Sequence, residues 1–430
     1  MLDIRKPTRR YIRSPKSVGG WLPRNKADVL QWVKKMADMS KANPPPRSGP
    51  VKALETLINN NAEVYMLFHE MMVEAVVGMT ACGKKYIDFP ISDVAHLLDT
   101  LDVILTTGPA FFSAGDPQIG TPINALLVWP MATKAGFAVF IRSDVNHAIK
   151  GILDYWGAFL KSPKSCSVLT NAAGGWFSAA ALDDPHMRDF DKTYICDPKK
   201  AYWGFTSWDN FFTREFKPNL RPVCEPKDDS CIVNAAESTF FNKVEGVHLR
   251  DNFWLKGQPY SLYHMLDGDA RASQFVNGSV YQAFLSADSY HRWHAPVSGR
   301  IVDYKIVPGA YYSEPILFGF DPDEGTPAPD PGADENSQGY ISAVAARGLL
   351  WIQADNPKIG LMCMVFIGMA EVSTIDVTMA VNKHFQKGEQ LGMFHFGGSS
   401  HCLVFGPHVK LDWKISHNQV HINSELARVK

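Results

Sequence analysis

The stretch MFHFGGSS at residues 393–400 is the part of the sequence around which the rest of the chain can be understood. A glycine pair and a serine pair follow an apolar, strand-like run, and by itself this pattern is most typical of a plain turn. It is also compatible with self-cleavage, in which the hydroxyl of Ser399 attacks the carbonyl carbon of Gly398. A glycine favours that attack because it has no side chain to block the approach and tolerates strained backbone angles.

Such an attack would give an ester, and elimination at residue 399 would then give dehydroalanine. Hydrolysis of dehydroalanine produces a pyruvoyl group, which is a ketone at a new N-terminus and an electron sink made from the protein itself. The stretch alone does not distinguish a turn from a cleavage site, so the remainder of the sequence has to decide.

The composition is that of an ordinary globular protein. The chain has 430 residues, of which 46% are hydrophobic and 20% are charged, and its formal net charge is −1. A net charge this close to zero gives no overall positive potential that would attract nucleic acid or anionic lipid. The seven cysteines are scattered without a CxxC pair, which favours a reducing compartment.

The N-terminal segment is basic but has no apolar core, so it does not resemble a secretory signal. No apolar run reaches the ~18 residues of a membrane span. We therefore expect a cytoplasmic protein without stable membrane insertion, and nothing in the sequence indicates a nucleic-acid partner.

Residues 1–200 are predicted to form a helical N-terminal domain. Apolar residues recur at helical spacing over 27–39 and 51–80, and Ser92 and Ser143 are placed to cap two further helices. The apolar run 121–135 is interrupted by Pro130.

Residues 201–430 are predicted to form the catalytic domain, with mostly antiparallel sheet from about residue 231. Alternating or β-branched runs predict strands at 299–307, 349–353, 361–367, 371–378 and 408–415. The fold class is therefore α+β, a helical half packed on a β-sandwich or barrel-like half. The acidic, Pro- and Gly-rich stretch 320–340 is either an insertion or a lid over a site.

Two further stretches carry residues suited to chemistry. In HRWH, at 291–294, the two histidines are three residues apart, so in a helical turn they could lie on one face and bind a metal ion together. Alternatively, either histidine could have a purely structural role. An imidazole could also take the serine proton, since its pKa lies near neutrality. Glu237, in the AAES stretch, either points to solvent or orients a histidine as the acid of a Ser-His-acid set.

The order of the motifs is more specific than any one of them. The chain contains in turn FFTR and LRP (211–222), AAES (235–238), KGQPYSL (256–262), YHRWHAPVSG (290–299), IGMAEVSTI (367–375) and KGEQLGMFHFGGSS (387–400). Together these resemble the phosphatidylserine decarboxylase family of pyruvoyl enzymes. The helical extension, the GGSS sequence and the IGMAEVST run resemble in particular the soluble fungal branch that includes tryptophan decarboxylases.

The resemblance implies a role for each matching residue. Ser399 matches the serine that becomes the pyruvoyl cofactor, with cleavage after Gly398. His294 matches the histidine of the processing triad, and His291 matches the histidine associated with the substrate and with protonation. Glu237 occupies the position where the lipid enzymes usually have aspartate. No metal is implied.

The resemblance also implies a reaction. A free aromatic amino acid, tryptophan first, would form a Schiff base with the pyruvoyl ketone and lose carbon dioxide, and fragments 1–398 and 399–430 would stay associated. One alternative is a phosphatidylserine decarboxylase. Another is a non-catalytic β-sandwich carrier module, because APVSGRIV and KGEQLG resemble the turns of biotinyl and lipoyl domains, although a serine pair stands where those domains need lysine. Trp293, Phe394, Phe396 and Phe405 flank the proposed site as possible stacking or core residues.

Overall fold

The computed structural model describes residues 22–23, 25–77, 89–111, 119–184, 187–251, 260–286, 288–314, 337–371, 374–416 and 419–430. Most of the acidic stretch 320–340, residues 256–259 of KGQPYSL, and Val372 and Ser373 of IGMAEVSTI lie outside these ranges. The choice between an insertion and a lid for the acidic stretch is therefore untested.

The N-terminal half is helical, as predicted. Its α-helices are α1 Lys26–Ala42, α2 Gly49–Asn60, α3 Ala62–Val77, α4 Val94–Ile104, α5 Pro122–Met131, α6 Lys134–Phe140, α7 Ser143–Leu160, α8 Ala179–Asp183, α9 Phe190–Thr193 and α10 Trp208–Phe212. Two short helices, α11 Leu262–Met265 and α12 Gln338–Val344, follow in the second half. Among the helices described, none is long and apolar enough to cross a membrane.

Two of the predicted helix caps are wrong by one residue. The N-cap of α4 is Asp93, whose carboxylate accepts a hydrogen bond from the backbone N–H of His96 at 2.9 Å. Ser143 lies inside α7, and Arg142 occupies the N-cap. Pro130 lies near the end of α5 and does not break it earlier, since the helix continues to Met131.

The C-terminal half is built from antiparallel strands. They are β1 Cys231–Val233, β2 Ser238–Glu245, β3 Ser279–Leu285, β4 Arg292–His294, β5 Gly299–Val307, β6 Arg347–Ala354, β7 Leu361–Met369, β8 Thr374–Val377, β9 His384–Phe385, β10 Gln390–His395, β11 Gly398–Phe405, β12 Leu411–Trp413, β13 Gln419–Val420 and β14 Glu425–Val429. The α+β fold class is confirmed.

The largest sheet has the strand order β13-β2-β3-β11-β7-β6-β5-β9, and β11 lies near its centre between β3 and β7. The sheet is open, with β13 and β9 at its edges, so the half is not a closed barrel. Two three-stranded sheets, β1-β14-β12 and β4-β10-β8, complete this half.

Alternation along β11 determines which side chains meet. Leu403 and Phe405 enter one apolar core, with Trp293 and Phe366, whereas Cys402 and Val404 enter the core on the other face of the sheet. Because successive strand residues point to opposite faces, Ser399 and His401 share the face of Leu403. Ser400 points to the other face, where its Oγ accepts a hydrogen bond from Gln282 Nε2 at 3.3 Å.

The helical half contacts the sheet at the turn between β10 and β11. The ring of Phe396 belongs to the helical core and meets Trp156, Phe212 and Trp208 at centroid distances of 5.0, 5.4 and 5.8 Å. The MFHFGGSS stretch thus begins in the sheet, contacts the helices at Phe396 and returns to the sheet at Gly398. This places the predicted cleavage bond at the junction of the two halves.

Candidate active site

Ser399 is fully buried at the start of β11. Its backbone pairs with Leu285 on one side and with Gly368 on the other. The side chain is 0% exposed, and its Oγ has no hydrogen-bond partner among the described residues. The hydroxyl is therefore not engaged in a described hydrogen bond, whereas the backbone of Ser399 is fixed between two strands.

The backbone that leads into Ser399 has a conformation that suits glycine. Gly397 has a φ of 130°, in the region that side chains with a Cβ rarely adopt. Gly398 pairs with Met369 and begins the strand. Gly397 is therefore suited to the sharp entry into β11, which agrees with the turn interpretation. The carbonyl of Gly398 is adjacent in the chain to the Ser399 hydroxyl, which has no hydrogen-bond partner among the described residues.

The HRWH stretch is a strand and not a helical turn. β4 covers Arg292–His294 and pairs with β10, and the backbone N–H of Phe394 donates to the carbonyl of His291 at 3.0 Å. In extended chain, residues three apart point to opposite faces. HRWH is thus not a helical turn, because pairing with β10 overrides the helical spacing.

His294 has both ring nitrogens in hydrogen bonds. Nδ1 lies 2.8 Å from the carbonyl oxygen of Gly388, and Nε2 lies 3.0 Å from the hydroxyl of Tyr290. A carbonyl can only accept, so Nδ1 carries the proton and Nε2 presents its lone pair to the Tyr290 hydroxyl. Burial lowers the pKa of His294 to about 4, so the imidazole is neutral at physiological pH.

Glu237 is held by groups other than His294. Its carboxylate accepts hydrogen bonds from Arg221 (Nη2 to Oε1, 2.6 Å), from His421 Nδ1 at 2.7 Å and from the backbone N–H of Ile422 at 2.8 Å. The AAES stretch instead reaches His294 through the main chain, since the N–H of His294 donates to the carbonyl of Ala235 at 2.8 Å.

The electrostatics of Glu237 follow from these partners. Burial alone would raise its pKa, but the hydrogen bonds from His421 and Arg221 outweigh burial and leave the pKa below its usual value. Glu237 is therefore an ionised carboxylate that joins the AAES stretch to the C-terminal segment at residues 421–422. Its role in orienting a histidine stays a prediction.

His291 is fully buried beside the turn into β11. Its ring stacks on Phe212 with centroids 3.8 Å apart, and Phe212 in turn packs against Phe396 at 5.4 Å. Neither ring nitrogen has a hydrogen-bond partner of good geometry among the described residues. Burial, and then the positive charge of Arg214, hold the pKa of His291 well below its usual range.

His401 is a candidate site residue that the motifs did not indicate. It lies two residues after Ser399 on the same face of β11, it is fully buried, and both ring nitrogens lack partners among the described residues. Its ring is 6.1 Å from that of Tyr281 and 6.5 Å from that of Phe366. The period-two alternation of a strand, applied from Ser399, would have singled out this polar residue in an apolar run.

The burial of His401 predicts that the folded protein loses stability in mild acid. Burial lowers its pKa to about 4 in the folded protein, from 6.5. As the pH falls from about 6.5 to about 4, the unfolded chain binds a proton that the folded chain does not, so the free energy of unfolding decreases. At pH 5 the decrease is about 2 kcal/mol for this residue, from 1.36 kcal/mol per pKa unit.

The variant His401→Phe removes this titration while keeping a ring of similar size. Its free energy of unfolding in urea should fall about 2 kcal/mol less than that of its parent between pH 7.5 and pH 5. Ser399→Ala is the parent background, so that the chain remains in one piece, and exposed His384→Gln is the control. Equal pH dependence in His401→Phe and its parent would contradict the inferred neutral state of His401.

Comparison with known proteins identifies the family. The chain matches the phosphatidylserine decarboxylase model over residues 208–428, and a second model with the same description over residues 48–184. The protein belongs to the phosphatidylserine decarboxylase family and is a decarboxylase, a carboxy-lyase. The family resemblance inferred from the ordered motifs is confirmed, and the carrier-module alternative is wrong.

Three of the similar proteins come from fungi. The chain is 44% identical to Decarboxylase iboD of Amanita muscaria over 72% of this chain and 91% of that protein. It is 40% identical to the L-tryptophan decarboxylase of Psilocybe cyanescens over 66% of this chain and 68% of the relative. The L-tryptophan decarboxylase of Psilocybe cubensis is 34% identical over 89% of this chain and 87% of its own length. More distant relatives are named phosphatidylserine decarboxylase proenzymes.

Proposed function

We propose that this protein is a pyruvoyl-dependent decarboxylase of a free aromatic L-amino acid, with tryptophan preferred, and that it matures by self-cleavage between Gly398 and Ser399. The observation that carries the proposal is the buried hydroxyl of Ser399, which follows a glycine pair and has no hydrogen-bond partner among the described residues. The matching phosphatidylserine decarboxylase model covers this residue. The substrate part rests on the relatives named as L-tryptophan decarboxylases.

The residues present fit a pyruvoyl group at position 399. Residues 400–405 of β11, paired with β3 and β7, would hold the group in place after the backbone nitrogen of residue 399 leaves as ammonia. When formed, the group supplies an electron sink of the kind that pyridoxal phosphate supplies in other decarboxylases. His294, neutral with its Nε2 lone pair available on release from Tyr290, is the candidate base for the Ser399 proton.

The two fragments are expected to stay together after cleavage. The short fragment 399–430 contains β11, which pairs with β3 and β7 of the long fragment, and β14, which pairs with β1. Glu237 of the long fragment adds hydrogen bonds to His421 and Ile422 of the short one. Separation would expose both the sheet interior and an ionised carboxylate, so association should survive purification.

His291 is the candidate proton donor in turnover; because burial keeps its imidazole neutral, it would take up a proton from the substrate ammonium before donating one. Its ring lies against Phe212, which also contacts Phe396, so the imidazole is packed beside the chain entering residue 399. We predict that His291→Ala cleaves normally but loses on the order of 10²–10⁴ in kcat, the usual contribution of a general acid or base. Fragment formation on a denaturing gel and carbon dioxide release measure the two effects. Unchanged turnover in His291→Ala would assign protonation to another group.

The substrate is tested by supplying candidates separately. Mature enzyme is incubated with tryptophan, phenylalanine, tyrosine, or phosphatidylserine in micelles, and both amine and carbon dioxide are measured. Tryptophan should turn over fastest. Since one methylene in an apolar pocket discriminates by only about 1–3 kcal/mol, slower turnover of the other aromatic amino acids is expected. Turnover of the phospholipid alone would refute the amino-acid proposal and favour the lipid alternative.

A further inference from the structure

A cavity of about 300 Å³ lies between the C-terminal half of α7 and the turn into β11. It is lined by Leu153, Asp154, Trp156, Gly157, Ala158, Leu160, Lys161, Asp209, Glu371, Thr374, His395 and Phe396. Apolar side chains of α7 and of Phe396 thus share the cavity with polar side chains from α7, α10 and the ends of strands. Pockets for small molecules are typically apolar concavities with a few placed polar groups.

Two chain segments place this cavity near the predicted cleavage bond, although neither Gly398 nor Ser399 is among its lining residues. Phe396 lines it and stands three residues before Ser399. Glu371 also lines it and stands two residues after Met369, the residue that pairs with Gly398 in the sheet. A larger cavity of about 420 Å³, lined by residues between 195 and 215 together with Arg292, has no lining residue from MFHFGGSS.

The apolar wall of the cavity suits a flat ring. Leu153, Trp156 and Leu160 of α7 line it, and the ring of Trp156 meets that of Phe396 edge to face at 5.0 Å and 86°. Aromatic rings prefer such edge-to-face and offset contacts, so a third ring can add to the arrangement. The indole N–H of Trp156 already donates to the carbonyl of Thr107 at 2.9 Å, which fixes this wall in place.

The polar wall carries more negative than positive charge. The backbone N–H groups of Ile123 and Asn124 donate to the carboxylate of Glu371, and Asp209 Oδ1 lies 2.8 Å from His395 Nδ1. Asp154 is a third carboxylate, whereas Lys161 and His395 are the basic residues in the lining. This balance opposes an acidic substrate side chain. Asp154 pairs with Lys150, Asp209 with His395 and Glu371 with two backbone N–H groups, so a ring N–H would have to share a carboxylate that already has a partner.

We infer that this cavity is the specificity pocket that receives the substrate's aromatic side chain, with an indole as the preferred occupant. The inference rests on the proposed function, and it adds the place and the chemical basis of substrate selection. It also assigns Gly157 of α7 as the residue whose lack of a side chain leaves room for the ring.

Substitution of Gly157 can fill the cavity without disturbing the fold. A Cβ added at this position meets no atom within 4 Å, so a larger side chain can be built without displacing the fold. Gly151 provides the matched control, because it lies in the same helix and its added Cβ would meet only Pro50 Cβ, at 3.9 Å. Both substitutions remove a glycine from a helix interior, so neither should lower helix stability.

The experiment compares Gly157→Ala, Gly157→Leu and Gly151→Leu with the unmodified enzyme. All four should cleave into two fragments. Gly157→Leu should lower kcat/KM for tryptophan on the order of 10- to 200-fold, the range expected for a few atoms in an apolar pocket, and Gly157→Ala should do so less. Inhibition by tryptamine, which reports binding without turnover, should weaken in parallel. Gly151→Leu should match the unmodified enzyme.

The possible failures are distinguishable. If Gly157→Leu is cleaved and keeps its kcat/KM and its tryptamine inhibition, the pocket is wrong while the proposed function stands. Equal losses in Gly157→Leu and Gly151→Leu would also overturn it, because the effect would then belong to the helix and not to the cavity. If the unmodified, cleaved enzyme decarboxylates no aromatic amino acid, the proposed function itself fails and the inference fails with it.

Discussion

The variant Ser399→Ala is expected to remain a single 47.9 kDa chain and to release no carbon dioxide from any substrate. Alanine has no hydroxyl to attack the carbonyl of Gly398, so neither the ester nor the ketone can form. The loss should be complete, since no other group at position 399 can supply an electron sink. The Ser399 side chain makes no described hydrogen bond, so its removal should leave the fold intact.

Ser400→Ala is the matched control for this result. The hydroxyl of Ser400 lies on the opposite face of β11 and accepts from Gln282 Nε2, away from the core that contains Trp293. Its removal leaves one buried N–H of Gln282 without this acceptor, which should cost about 1–3 kcal/mol and should leave cleavage unchanged. Cleavage in Ser399→Ala, or its loss in Ser400→Ala alone, would move the reacting residue to Ser400.

His294→Ala is expected to slow cleavage on the order of 10²–10⁴-fold, the usual contribution of a general base. His294 is neutral at physiological pH because burial lowers its pKa to about 4, and the contact of Nδ1 with the Gly388 carbonyl leaves Nε2 as the nitrogen that carries the lone pair. Cell-free synthesis followed by denaturing electrophoresis gives the rate at which the short fragment appears.

Two controls separate this role from a structural one. Tyr290→Phe removes the hydroxyl that Nε2 contacts but keeps the imidazole, so cleavage should continue. His384→Ala removes an exposed histidine that pairs with Asp355 and should have no effect. Wild-type cleavage kinetics in His294→Ala would exclude it as the base and would direct attention to His401, a neutral imidazole on the same face of β11 as Ser399.

Local patterns in the sequence predicted much of the fold. The strand predicted over 299–307 matches β5 at both ends, because alternation and the bordering glycine are local signals. The cap of α4 was misplaced by one residue because Ser92 and Asp93 are both good caps, and only the hydrogen bond to His96 distinguishes them. The HRWH stretch was misread as a possible helical turn because its strand partner, β10, lies about 100 residues away in sequence.

The site was predicted less completely, since its contacts join distant parts of the chain. The sequence placed Glu237 in a candidate set, but its partners Arg221 and His421 could not be read from local spacing. Of the four aromatic residues expected to flank the serines, Phe396 lines the cavity, whereas Trp293, Phe394 and Phe405 belong to the sheet core. Which aromatic residues face a cavity depends on the helices packed against them.

The mass of the purified wild-type protein tests the central claim most directly. Denaturing mass spectrometry should show two chains, residues 1–398 and 399–430, and the short chain should begin with a pyruvoyl group and react with a carbonyl reagent such as hydroxylamine. The account predicts this result together with co-purification of the two chains under native conditions. A single chain of 47.9 kDa with an unmodified serine at position 399, in protein that decarboxylates tryptophan, would contradict it.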